Sequence, residues 1–224
     1  MNFFMKKNIF TLLFLVLLFC CKRAEFPISE NNYLFENSQP INDSKLNKIP
    51  SKFQGKFMSQ DSSYLNIDAY CVYNEYYNKF EINKTKLDSL KSEFEITDKK
   101  FINKDLDKVF DYRILKDSIE LSEKIIDTIF VISDNQKAKR IDGQLILSFK
   151  DSIFWNIKMI SIQKNNLKIK QLSNFSDLKK LDSITKIKSK SIDSTSILIK
   201  PSRREFKKII NLKNLGTVMI YKKL

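Results

Sequence analysis

Residues 144–162 read QLILSFKDSIFWNIKMISI, and the spacing of their apolar side chains decides the fold. Leu145, Leu147 and Phe149 form one set with a period of two, and Ile153, Trp155 and Ile157 form another. A period of two places successive side chains on opposite faces of a strand, so each set predicts a strand with one face turned inward. The polar link Lys150-Asp151-Ser152 is short enough to reverse the chain and makes the pair a hairpin. Ile160 and Ile162 continue the alternation in the opposite phase, which predicts a bulge or bend at Lys158–Met159 that keeps both sets inward. Lys164-Asn165-Asn166 then turns the chain toward Leu167 and Ile169.

Similar short runs, punctuated by polar turns, recur from Ser51 to Leu224. They predict strands at residues 53–58, 64–73, 77–82, 94–96, 101–103, 109–115, 118–121 and 128–132 before the hairpin, and at 196–200 and 217–221 after it. The body is therefore expected to be mainly β, an antiparallel meander sheet or a barrel-like body, with two helices near the C-terminus. Ser176–Ile187 carries Leu178, Leu181 and Ile184 at helical spacing. The second helix has a sharper start, because Pro201 precedes Ser202-Arg203-Arg204-Glu205, a capping box whose serine and glutamate satisfy amides of the first turn. Phe206, Ile209 and Ile210 give it an apolar face, and Arg203, Arg204, Lys207 and Lys208 a basic one. Asp-Ser pairs at 88–89, 117–118, 151–152 and 182–183 recur at irregular intervals, which fits shared turn chemistry rather than an internal repeat.

At the start of the chain, Lys6 and Lys7 precede an apolar run, Ile9–Phe19, that stops at Cys20 and Cys21. A helix needs about 20 apolar residues to cross the hydrocarbon, so this run predicts the core of an export signal rather than a membrane span. Lipoprotein signal peptidase needs a small residue just before the cysteine that is modified. Phe19 before Cys20 is bulky and Cys20 before Cys21 is small, so Cys21 is the expected lipidation site and residues 1–20 the signal peptide. Several acyl chains on one residue anchor a protein stably, each buried methylene contributing ~0.8 kcal/mol. Residues 21–50 read as the lipidated N-terminus and a tether, since Pro27, Pro40 and Pro50 fall among Asn and Ser with little periodicity. Residues 51–224 are expected to form a single β-rich domain.

The chain has no histidine, and its three glycines, Gly55, Gly143 and Gly216, stand apart. Histidine-based triads, imidazole metal sites and glycine-rich phosphate loops are thereby excluded. No cofactor is expected. Cleavage before Cys21 leaves Cys71 as the only unmodified thiol, so no intramolecular disulfide is expected. A lone thiol in an oxidising compartment is best hidden, and the alternation Leu65, Ile67, Ala69, Cys71, Tyr73 puts it on the apolar face of the expected strand 64–73. The formal charge is +14, and loss of Lys6 and Lys7 with the signal leaves +12. At an envelope the nearest polyanions are phospholipid headgroups and lipopolysaccharide phosphates, so these, and not nucleic acid, are the expected partners. Only five of the 40 basic residues are Arg, a lysine bias that AT-rich codon usage gives by itself.

Several words in the last third carry a resemblance. They are Ile146-Leu147-Ser148 before Lys150-Asp151-Ser152, Trp155-Asn156-Ile157 with Ile160 and Ile162, Asp177-Leu178-Lys179-Lys180-Leu181, and Pro201 through Lys208 to a closing strand ending at Tyr221. Another stretch runs from Ile49-Pro50 through Phe53-Gln54-Gly55-Lys56-Phe57 to Tyr64-Leu65-Asn66-Ile67. Together they resemble a group of uncharacterised lipoproteins of Bacteroidetes, flavobacteria in particular. The resemblance implies an envelope location and a β-rich fold, and it brings no activity or catalytic residue. The acidic surface-export signal common after the cysteine in such bacteria is replaced here by Lys22-Arg23-Ala24-Glu25, which favours the periplasmic face of the outer membrane.

Asp105, Asp107 and Asp111 have the short spacing of a calcium loop but lack its glycine and its run of oxygen ligands, so a polar loop and no metal is expected. Tyr64, Tyr70 and Tyr76 would share one strand face with Asn66, Asp68 and Asn74, a candidate ligand-binding surface. Arg203, Arg204, Lys207 and Lys208 are the candidate membrane-surface contact. The expected role is non-enzymatic binding or structure in a lipid-anchored envelope protein. One rival is a lipocalin-like carrier of a small apolar ligand or lipid, which would need an enclosed apolar interior. The other is a hydrolase using carboxylates or a lone serine, which would need convergent buried carboxylates with raised pKa values.

Overall fold

The computed structural model describes residues 32–86, 89, 94–97, 100–103, 108–174 and 176–224. The first strands in chain order are β1 (Asn32–Phe35), β2 (Gly55–Met58), β3 (Tyr64–Ile67), β4 (Cys71–Asn83), β5 (Phe94–Ile96), β6 (Lys100–Asn103), β7 (Lys108–Ile114) and β8 (Ser118–Val131). They are followed by β9 (Gln136–Ile141), β10 (Gln144–Asp151), β11 (Phe154–Gln163), β12 (Asn166–Gln171), β13 (Lys190–Ser191), β14 (Ser196–Ile199) and β15 (Thr217–Lys223). Two α-helices, α1 (Ser176–Ile184) and α2 (Arg203–Asn211), lie late in the chain. All the strands join one large sheet, mainly antiparallel, with β1 parallel to β14.

The hairpin read from the sequence is β10–β11, paired from Leu145↔Ile160 to Asp151↔Phe154. Its pairing runs unbroken through Ile146↔Met159, so the expected bulge at Lys158–Met159 is absent. Both faces of β11 are covered, and the phase change needs no bulge. Trp155, Ile157 and Met159 enter one core while Ile160 and Ile162 enter another. The first core is roofed by Leu181 of α1 and by Phe206, Ile209 and Ile210 of α2. The second draws Leu145 and Leu147 of β10 together with Phe57, Leu65, Val72 and Phe130 from β2, β3, β4 and β8. Strands far apart in the sheet order share that core, so the sheet curls over itself. It does not close into a barrel, which corrects the barrel-like alternative.

Four local readings change for identifiable reasons. The described part of the expected tether, residues 32–50, is docked: β1 is seated between β14 and β11, Leu46 N donates to Ala138 O at 2.8 Å, and Ile49 N donates to Ala69 O at 2.7 Å. Residues 1–31, with the expected signal and Cys21, lie outside the described residues. The expected strand 64–73 breaks because Asp68 Oδ1 accepts from the amides of Tyr70 and Cys71, each at 2.8 Å, and turns the chain between β3 and β4. The runs 118–121 and 128–132 belong to a single strand, β8, except for Ile132 just past its end. Strand β9 was not expected, although the Asp142-Gly143 pair that joins it to β10 has φ of 51° and 78°, the left-handed pair of a tight hairpin.

β4 and β8 pair along their whole length, from Cys71↔Val131 to Asn83↔Ser118. Their far ends carry β7, β6 and β5 and a third core of Phe101, Phe110, Ile119 and Leu121, with Phe101 and Tyr112 edge to face at 5.0 Å. Between the cores Tyr76, Tyr77 and Ile126 are exposed, so the link is a two-stranded ribbon. At the other end of the molecule Gly216 has φ +71°, and a Cβ there would stand 2.2 Å from Gln171 O. Its amide donates to Asp177 Oδ2 at 2.9 Å, which ties the entry to β15 onto the first turn of α1. Among the described residues no helix is long and apolar enough to cross a membrane.

Candidate functional site

Helix α2 begins as its sequence requires. Ser202 Oγ accepts from Glu205 N at 3.3 Å, and Glu205 Oε2 accepts from Ser202 N at 2.7 Å, a complete capping box. The other carboxylate oxygen of Glu205 accepts from Lys186 N at 2.7 Å, so the cap also fixes the loop after α1. Burial pushes the Glu205 carboxyl up, but the donors from Ser202 and Lys186 outweigh it and hold it below its ordinary value. The apolar stripe of α2 is locked down, with Phe206 edge to face on Phe35 at 5.9 Å.

The four basic residues of α2 divide into two stripes. Arg203 forms a forked pair with Asp43, Nε to Oδ1 at 2.6 Å and Nη2 to Oδ2 at 3.0 Å, and Lys207 pairs with Asp142 at 3.2 Å. Those two cations are committed to holding the helix on the body. Arg204 and Lys208, four residues apart on the neighbouring stripe, instead line an open groove of about 640 Å³. Lys186 and Lys200 line the same groove, with Ile184, Ile187 and Gln39. Lys200 meets Glu36 at 2.5 Å, whereas Lys186, Arg204 and Lys208 ion-pair with no carboxylate among the described residues. Ile187 stays 56% exposed at the margin. Gln39 Oε1 is buried without a hydrogen-bond partner, while Gln39 Nε2 donates to Asn37 O at 3.2 Å. Glu36 and Glu205 also line the groove, Glu36 paired with Lys200 and Glu205 bound to Ser202 and Lys186 N, so among the described residues the groove presents three cations without a paired carboxylate and an apolar lip, a composition that suits an anion attached to an apolar body.

The tyrosine set is only partly assembled. Tyr64 and Tyr76 line a second groove of about 710 Å³ with Asp61, Asn74 and Tyr77. Tyr70 is absent from it, standing 62% exposed in the β3–β4 turn, so the expected single face of three tyrosines is corrected by that turn. Lys56 Nζ lies 4.2 Å above the Tyr64 ring and 2.9 Å from Glu75 Oε1. Glu75, inside the sheet, also meets Lys124 at 3.2 Å; the Lys56 hydrogen bond first, then Lys124, holds its carboxyl down against burial.

Cys71 is half-buried rather than enclosed, because the Asp68 turn shifts it out of phase with Ile67. Its Sγ donates to Asp68 Oδ2 at 3.1 Å, and burial, with the Asp68 carboxylate, pushes the thiol up to about 11. Asp111 pairs with Lys100 at 2.7 Å, and Asp105 and Asp107 lie outside the described residues. Among the described residues no three His, Cys, Asp or Glu side chains gather as a metal site. Lys186, Lys200 and Gln39 were not anticipated. Adjacency of Lys200 to Pro201 was the one local hint, and the other two arrive from remote segments. No known protein family, curated protein or solved structure matches this chain.

Proposed function

We propose that the protein is a lipid-anchored component of the cell envelope with a non-enzymatic binding role, and that the groove beside α2 holds anionic lipid headgroups. The observation that carries this is the division of the α2 cations. Arg203 and Lys207 are paired with Asp43 and Asp142, while Arg204 and Lys208 line an open groove together with Lys186. The expected acylation of Cys21 would hold the domain at a membrane, and the headgroups of phospholipid or lipopolysaccharide at the periplasmic face of the outer membrane would be the nearest anions. Ile187 at the lip suits the boundary between headgroup and acyl chain. The carrier alternative loses support from the open sheet and from a curled core filled by Phe53, Phe57 and Phe130. The hydrolase alternative loses support from Glu75 and Glu205, whose carboxyls are shifted down rather than up.

The test is hydrogen exchange on the full chain reconstituted into vesicles of neutral lipid or of neutral lipid mixed with phosphatidylglycerol. Amides of residues 184–188 and of the α2 N-terminal turn are expected to exchange more slowly on the anionic vesicles. Arg204→Ser with Lys208→Ser should abolish the difference, and Arg203→Ser with Lys207→Ser should keep it. Equal exchange on the two lipids would refute the reading.

A further inference from the structure

Strand β15 has one side unused. β12 pairs with Thr217–Lys222 along the other side, whereas β2 reaches only Lys222 and Lys223. β2 is short because the chain reverses at residues 59–63, where Ser59 N donates to Ser63 O at 2.9 Å and Ser62 takes φ 65°. Among the described residues no strand covers Thr217–Tyr221 on that side, so its backbone groups face an open slot. The slot measures about 460 Å³ between the Ser59–Ser63 turn and Val218–Tyr221. Val218, Met219 and Ile220 are 44%, 42% and 50% exposed. Successive strand residues point to opposite faces, so three in a row means that this edge is uncovered on both. Sheets ordinarily shield such an edge with charge, proline or a bulge, because it templates pairing with another chain.

The rim is basic. Lys222 and Lys223 are exposed where β15 runs on from the slot, and Lys213 is exposed in the loop before β15, whereas the ammonium groups of Lys168 and Lys170 on β12 are taken by Gln163 Oε1 and by the carbonyls of Ile210 and Leu212. The one carboxylate in the turn, Asp61, is turned to its own loop, its Oδ1 accepting from Ser59 Oγ, Ser63 N and Ser63 Oγ. A second copy of the chain would bring these lysines against their own kind, on a molecule of formal charge +14.

We infer that the Thr217–Tyr221 edge accepts an extended segment of an acidic protein partner, which adds a strand beside β15 in line with β2. Main-chain hydrogen bonds hold the segment, its side chains cover Val218 and Ile220 on one face from alternate positions and Met219 on the other from the position between, and its carboxylates meet the exposed Lys213, Lys222 and Lys223. This edge lies on other elements than the α2 groove, and the inference does not depend on that reading.

The probe is a fluorescent peptide of alternating valine and threonine with two aspartates at each end, compared with a twin ended in lysines, against the full chain in detergent. Anisotropy titration is expected to show the aspartate peptide binding at least about tenfold more tightly than its twin. Hydrogen exchange is expected to show residues 217–220 protected by it. Ile220→Asp, at an exposed position, removes an apolar contact and adds a like charge and should weaken binding of the aspartate peptide about tenfold; if that variant misfolds, exchange on the unaltered chain decides alone. Equal affinity for the two peptides, or binding without protection at 217–220, overturns the inference. Self-association that protects the same amides also overturns it and assigns the edge to a second copy.

Discussion

Glu75 shows how a single charge is kept inside a sheet. It is 7% exposed, and the ammonium groups of Lys56 and Lys124 supply the donors that its carboxylate loses on leaving water. Its folded pKa lies below the ordinary 4.5, so the ionised form contributes stability that is fully present above 4.5 and is lost as pH falls through the folded value. Urea midpoints measured between about pH 6 and pH 3 should therefore fall for the unaltered protein and fall less for Glu75→Gln. The slope should not vanish, because Asp61, Asp68, Asp142 and Asp193 are also held below the ordinary carboxylate range. Near neutral pH Glu75→Gln is expected to cost about 1 kcal/mol, since both lysines it deserts reach solvent. A pH slope identical in the two proteins would mean that Glu75 is not the group responsible.

Among elements, α2 is where local chemistry and distant packing meet. Ser202→Ala removes the cap to Glu205 N and the 2.7 Å bond from Ser202 Oγ to Glu205 Oε2, and should cost about 1 kcal/mol in thermal or urea unfolding. Faster amide exchange at Lys186 should accompany it, because Glu205 is the acceptor for that amide. The capping box was readable in the sequence because all its partners lie within four residues. β10–β11, β12, β14 and β15 were readable from the same kind of short-range periodicity. The direction of a face was not readable, because two-sided burial of β11 depends on both the helices and the curl of the sheet. β1 escaped notice since four residues, NYLF, carry too little pattern, and its order comes from β14, more than 160 positions away. The basic stripe on α2 was visible, but which two of its four cations were spoken for depended on Asp43 and Asp142, in loops that no local pattern ties to the helix. Gln39 and Lys186 gave no signal for the same reason.

Across the whole molecule, the chain makes a curled body with cores on both faces of its central strands and an outer lobe on a two-stranded ribbon. A two-stranded ribbon alone is marginal in water, so the lobe leans on its own small core of Phe101, Phe110, Ile119 and Leu121. The two parts should therefore open separately, with amides of β5, β6 and β7 exchanging faster than those of β10 and β11. Lys79 and Ser122 stand opposite each other on the ribbon. Replacing residues 80–121 by an Asn-Gly turn should leave the body folding cooperatively and within about 1 kcal/mol of its stability, as measured by urea unfolding followed at Trp155. Loss of the body with the lobe would show that the two are one cooperative unit. The ribbon has a further consequence, for heredity rather than for energetics. Its two strands are the only crossings between body and lobe among the described residues, and everything beyond them is one uninterrupted stretch of chain. A single in-frame insertion, deletion or recombination within the corresponding stretch of coding sequence can thus enlarge, trim or exchange the lobe while every strand of the body keeps its neighbour.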